Sequence, residues 1–167
     1  MGFALVPADR RHDGLMLQDS ILTNFVAVTA GVTRRYGFLL PRGKMRADST
    51  AGTAQLRVKY HDLDQPVSGL SGGNQQKIVL GKWLQTSPRV VLLDDPTRGV
   101  DLGAKLEIYQ VVRKLAQSGC TVLFSSSELE EYRHLCRKVL VLRRGAVRGV
   151  LSGEDINQHT LLHTMNT

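Results

Sequence analysis

Apolar positions in this chain fall into two kinds of pattern. The first is the short apolar run. Phe3-Ala4-Leu5-Val6 closes at Pro7, and further runs cover Val90 to Leu93, Thr121 to Phe124, Val139 to Leu142 and Val147 to Leu151. Val90 to Leu93 reads as a strand buried on both faces of a parallel sheet, and Thr121 to Phe124 as a second buried strand. Arg144-Gly145 is the turn between the last two runs. The second pattern has a helical period. Asp19 or Ser20 caps a helix through Ile21, Leu22, Phe25 and Val26. Residues 42–59 make a polar, peripheral helix, and Gln65 to Gly73 is a loop. Asn74 to Leu84 is a helix with Val79, Leu80, Trp83 and Leu84 on one face. Residues 102–117 carry Ile108, Val111, Val112 and Leu115 at the spacing of one helix face, and Glu128 to Leu135 is a short helix. Ser152 caps a last helix from Glu154 onward. Strands alternating with helices predict an α/β sheet flanked by helices.

The length of 167 residues fits one domain or a large part of one. With 42% apolar and 22% charged residues, the chain is neither a disordered tail nor a disulfide-stapled miniprotein. Its longest aliphatic runs are far too short to span a membrane, and no secretory or myristoylation signal follows Met1. Cys120 and Cys136 lack metal-ligand spacing and read as reduced thiols in a cytoplasmic protein. The net charge of +7 sits mostly in residues 1–60, which hold 9 basic and 4 acidic side chains. Such a segment suits nucleic acid, a membrane surface or an acidic partner, or is simply a solvated face.

Chemistry concentrates first at Leu70-Ser71-Gly72-Gly73-Asn74-Gln75-Gln76-Lys77. Ser71 can cap the helix behind it, and Gly72 and Gly73 leave amides open to an anion. A helix start with bare amides attracts phosphate through orphan donors and the helix dipole. The string resembles the signature motif of ATP-binding cassette (ABC) ATPases, in the Asn-Gln-Gln variant of ribose- and galactose-type sugar importers. The resemblance implies that Ser71, Gly72 and Gly73 meet the γ-phosphate of ATP held by the opposite domain of a head-to-tail pair, with Asn74 and Gln75 also binding that nucleotide in trans.

A second site follows an apolar strand, at Asp94-Asp95. Two carboxylates at such a strand end suit a Mg²⁺ held through water and an oriented attacking water. The run Pro96-Thr97-Arg98-Gly99-Val100-Asp101-Leu102-Gly103-Ala104-Lys105 resembles the same family's Walker B extension and D-loop. Asp94 then matches the Mg²⁺-associated acid and Asp101 the D-loop aspartate. Asp95 stands where most relatives carry the catalytic glutamate, one methylene longer, and is either a slower catalytic residue or a spent one. Ser127 takes the position of the switch histidine; a Ser-rich helix cap before Glu128 explains it equally well. Serine bonds phosphate but carries no charge and shuttles no proton as histidine can. Val6 to Gly14 resembles the Q-loop region, with Ala8 replacing the usual Gln or Glu and Asp9, Arg10 and Arg11 near the membrane-subunit interface.

No Gly-x4-Gly-Lys-Ser/Thr string occurs in the sequence. The resemblance therefore implies a P-loop NTPase-like (ABC ATPase) three-layer α/β fold, incomplete and lacking the P-loop strand. Its parts are a helical subdomain region at 18–68, the signature loop and helix at 69–86, the Walker B, D-loop and switch sheet at 87–151, and a C-terminal helix at 152–167. Its open strand edge implies poor solubility or partial order for the chain alone. The function implied is part of the ATP-binding subunit of a monosaccharide importer, with ATP and Mg²⁺ as cofactors and no ATP hydrolysis by this chain alone. Its implied partners are a complete cassette or the missing N-terminal portion, membrane permease subunits and, indirectly, a periplasmic sugar-binding protein. Its implied place is the cytoplasmic face of the inner membrane, without nucleic acid. The alternatives are a catalytically incompetent binding or regulatory fragment, a truncated gene product, and a nucleic-acid-associated ABC ATPase.

Overall fold

The computed structural model describes residues 2–33 and 42–166. The helical region expected at 18–68 thus includes a stretch, 34–41, outside the described residues. The chain divides into two compact units, residues 1–123 and 124–167.

In the first unit, β1 (Phe3–Val6) pairs in parallel with β2 (Val90–Asp94), with Phe3 opposite Val90 and Val6 opposite Leu93. The sheet order is β1-β2-β3, so β3 (Thr121–Ser125) is an edge strand among the described residues. Alternation along β1 and β2 sends Ala4, Val6, Val91 and Leu93 to one face, where all are buried. The opposite face carries Phe3, 67% exposed, and Leu5. Burial of β2 on both faces is therefore only half realised, since Val90 and Leu92 are half-buried. The β3 expectation fails more clearly. Its residues alternate between exposed and half-buried, and Leu123 is 56% exposed. An apolar run records what a strand can bury, and an edge strand lacks a neighbour to bury it against.

Three helices complete the core of this unit. In α1 (Ile21–Thr33), Ser20 accepts the Thr23 amide at 3.0 Å, so the cap lies at the second of the two candidate residues. The polar α2 (Arg42–Gln55) buries only Ser49 and Thr53, as suits a peripheral helix. By contrast α3 (Gly72–Leu84) is buried over Gln75 to Gly81 and presents no single apolar stripe. It starts two residues before Asn74 because Ser71 supplies the cap. Phe25 of α1 wedges between Gly52 of α2 and Gly81 of α3. A Cβ at Gly52 would lie 2.7 Å from the Phe25 ring, and one at Gly81 would collide with it outright. After β2 comes α4 (Leu102–Gln117), which buries Ala104, Ile108, Tyr109 and Val112 and leaves Val111 and Leu115 half-buried.

In the second unit, α5 (Leu129–Leu135) precedes a hairpin of β4 (Lys138–Arg143) and β5 (Ala146–Ser152). Its turn places Arg144 and Gly145 at φ 49° and 78°, the left-handed pair that matches strand twist. Val139 and Val141 pack with Ile156 and Leu161. The last helix, α6 (Gln158–Asn166), is capped by Asn157, whose side chain accepts the Thr160 amide at 2.9 Å. Ser152 instead precedes a short 3₁₀ turn and makes no side-chain cap. Both cysteines are free, and burial pushes the Cys136 thiol up to about 11.

Candidate functional site

The first unit brings three segments together: the start of α3, the loop from Asp94 to Asp101, and the turn after β1. At the start of α3, Ser71 is exposed and its Oγ accepts from the Asn74 backbone at 3.5 Å and the Asn74 side-chain amide at 3.0 Å. Asn74 in turn accepts the Lys59 amide at 3.0 Å. Both lone-pair directions of Ser71 are thus taken, which leaves its own proton to donate outward. The Gly72 and Gly73 amides precede the first intrahelical bonds and lie beside that hydroxyl.

Packing asks for the two glycines for its own reasons. A Cβ at Gly72 would lie 2.7 Å from Arg10 Nη2 and 3.1 Å from the Gly99 carbonyl, and one at Gly73 would collide with the Ala104 methyl. Close contact of this loop with Arg10 and with the 98–104 segment therefore requires both glycines. Gln75 is buried, with its amide donating to the Val67 and Leu70 carbonyls at 3.3 and 3.2 Å. It holds the loop from behind.

Asp94 is exposed at the C-terminal end of β2. Asp95 has φ 43°, in the left-handed region that Asp tolerates better than most residues. Its carbonyl accepts the Arg98 amide at 3.1 Å, and Thr97 is buried, so the loop turns back at once. Asp101 caps α4 by accepting the Ala104 amide at 2.9 Å. That backbone bond holds the carboxyl below its ordinary value.

Two cations underpin the arrangement, and neither announces itself in the sequence. Lys77 on α3 is buried, donates to the Arg57 carbonyl at 3.0 Å and pairs with Glu107 on α4. Arg10 donates through Nη1 to the Arg98 carbonyl at 2.7 Å and through Nη2 to the Gly99 carbonyl at 3.4 Å. Desolvation lowers its pKa. The family resemblance implies a charged run of Asp9, Arg10 and Arg11 near the membrane-subunit interface. In the structure Arg11 is exposed, whereas Arg10 turns inward to the loop before α4. Backbone carbonyls are its partners, and no residue type marks them in advance.

Ser127 belongs to the second unit and is exposed. Its neighbour Ser126 is the anchored member: its hydroxyl donates to buried Glu131 at 2.6 Å, and its backbone exchanges bonds with the Tyr132 hydroxyl. A cavity of about 220 Å³ opens beside Ser71, lined in part by Lys59, Tyr60 and His61. A larger one, about 440 Å³, lies among Phe25, Leu56, Leu84 and Leu115 and includes none of the motif residues. Among the described residues no group of three His, Cys, Asp or Glu could hold a metal ion, and no helix is long and apolar enough to cross a membrane.

Comparison with known proteins identifies the family and the fold. Ribose import ATP-binding protein RbsA 1 of Rhizobium etli is 41% identical over 97% of this chain and 31% of its own length. RbsA 3 of Rhizobium meliloti is 45% identical over 96% of this chain and 32% of its own. The chain thus spans about a third of the length of the curated relatives it matches. Among solved structures, a nucleotide-free ATP-binding cassette from an ABC transporter aligns with a TM-score of 0.73 at 20% identity, covering 95% of this chain and 64% of that one. An ADP-bound cassette aligns with a TM-score of 0.74 at 20% identity, covering 96% and 65%. These likenesses show the fold, an α/β arrangement with a parallel sheet. Residues 6–98 match the ABC transporter family, and with relatives above 40% identity over nearly its whole length, the chain belongs to that family.

Proposed function

We propose that this chain is part of the ATP-binding subunit of an ABC-type monosaccharide importer, in which it contributes the signature loop and D-loop to a composite ATP site. One observation carries the reading. Asn74 donates twice to the Ser71 hydroxyl oxygen, so the proton of this exposed hydroxyl is left to donate outward at the start of α3, beside half-buried Gly72. Donors fixed in that way suit a phosphate group. Here Ser71, Gly72 and Gly73 contact the γ-phosphate, and Asn74 and Gln75 hold them in place. Asp101 sets the D-loop against this helix start.

Mg²⁺ prefers phosphate oxygens, waters and one or two carboxylates to an all-protein cage. Exposed Asp94 at a strand end fits that preference, holding the ion through water, with Asp95 next to it to orient a water. Held there by Asp94, such an ion would supply neutralising charge for the transferring phosphoryl group. Ser127 is a phosphate hydrogen-bond donor at most. The partners are a cassette that holds the nucleotide, permease subunits and a periplasmic sugar-binding protein, and the place is the cytoplasmic face of the membrane. The relatives' description as ribose import proteins supports a monosaccharide as the transported substrate.

Vanadate trapped with Mg-ADP occupies the γ-phosphate position, and illumination cuts the backbone it touches. In the assembled ATPase, cleavage of this chain should map to Ser71 and Gly72. Cleavage elsewhere, or none in this chain while its partner is cut, would overturn the assignment.

A further inference from the structure

We propose that Arg10 is a positioning residue, whose guanidinium locks the Arg98 and Gly99 carbonyls against the start of α3 so that the D-loop and the Ser71 loop move as one edge. The inference rests on the reading above for what that edge faces, but the lock itself is a property of this chain. Three segments far apart in sequence converge on the guanidinium. Nη1 takes the Arg98 carbonyl at 2.7 Å, Nη2 reaches the Gly99 carbonyl at 3.4 Å, and the space where Gly72 would carry a Cβ lies 2.7 Å from Nη2. Gly99 itself has φ 66°, a conformation that turns the backbone sharply at this point.

The turn that carries Arg10, residues Arg10–Gly14, is anchored at both ends. The Asp9 carboxylate accepts the Arg11 and His12 amides, each at 3.0 Å. At the far end Lys82 of α3 donates to the Gly14 carbonyl. The arm is therefore fixed before the guanidinium reaches across. A planar fork with several donors can serve two adjacent carbonyls at once; an ammonium is a single point charge and serves one well. Arg10 Nε is buried without a hydrogen-bond partner, so the side chain is held by the two carbonyls and by packing.

Hydrogen exchange on the purified chain tests the lock directly. Arg10→Ala should speed exchange in residues 95–101 and at Gln75, whose amide makes the first bond of α3 to the Ser71 carbonyl, at least about tenfold, with Arg10→Lys between it and the wild type. A control segment in α4, residues 106–112, should stay unchanged in both variants. Unchanged exchange at 95–101, or equal acceleration in the control, would overturn the proposal. Should Arg10→Ala fail to fold, Arg10→Lys decides alone, since it keeps the charge and most of the stem. In the assembled ATPase, Arg10→Lys should lower kcat about tenfold with KM for ATP unchanged, because the lock shapes the edge and not the nucleotide's own pocket. A shift in KM alone would contradict it. Exchange needs no nucleotide, so local loosening without vanadate cleavage at Ser71 retains the lock and removes only the phosphate-facing role.

Discussion

The Asp101 carboxylate closes the first turn of α4 by accepting the Ala104 amide, and that bond exists in full only while the group is ionised. Its folded pKa is depressed, chiefly by this backbone bond, from an ordinary value of 3.8. The sign follows from linkage. The unfolded chain binds the proton more readily, so the contribution is complete above 3.8 and is lost as pH falls through the lower folded value. Urea denaturation of the wild type should show stability falling below pH 4, and Asp101→Asn should flatten the part of that slope due to this cap while still capping α4. Asp101→Ala should lower stability at pH 7 as well; equal pH slopes in all three proteins would contradict the assignment. Asp101 was legible in the sequence as a motif residue, but its part as the cap of α4 emerges only from the structure. Gln75 was legible as a motif member, but not in its orientation: an amide within a Gly-rich string can face a ligand or its own loop, and only the Val67 and Leu70 carbonyls decide it.

Among the elements, α3 and α4 are joined by the Lys77–Glu107 pair, and its two members are unequally exposed. The Lys77 side chain is 4% exposed and that of Glu107 33%. Removing the carboxylate strands a charge in the interior, while removing the lysine leaves a carboxylate that water still reaches. Glu107→Ala should therefore cost about 3 kcal/mol. Lys77→Met, which fills the space with an apolar stem, should cost less, near 1–2 kcal/mol. Chemical denaturation of both variants measures the order, and a larger loss for Lys77→Met would reverse the argument. Lys77 stood in the motif string, yet nothing there marked it as buried, because its partners lie on α4 and in the loop at Arg57. Element positions were otherwise readable from local signals: a cap at Ser20, a left-handed turn at Arg144-Gly145, proline after β1. The misreadings share a cause. Burial of β3 depends on what lies beside the strand, and the start of α6 on which of two polar residues adopts cap geometry.

At the scale of the whole molecule, exposed apolar rows sit in both units. In the first, Phe3 and Leu5 occupy the outer face of β1. In the second, Leu140 lies opposite Val150 and Leu142 opposite Val147, all four more than half exposed. Scattered surface leucines are ordinary, but cross-strand pairs form a continuous apolar face, and such faces bind apolar probes. Arg143, Arg144 and Arg148 within the hairpin oppose self-pairing through charge, as edge-protecting residues do. Folded chain should therefore enhance the fluorescence of 1-anilinonaphthalene-8-sulfonate well below its unfolding temperature. Replacing one cross-strand pair, Leu140→Thr with Val150→Thr, should remove much of the enhancement from the hairpin. Because both side chains already face solvent, the double variant should change stability by no more than about 0.5 kcal/mol per site. Fluorescence no higher than that of a well-folded control, or enhancement untouched by the double variant, would show that these rows are covered in solution. A Phe3→Ser variant run beside it measures the contribution of β1, where Phe3 is 67% exposed.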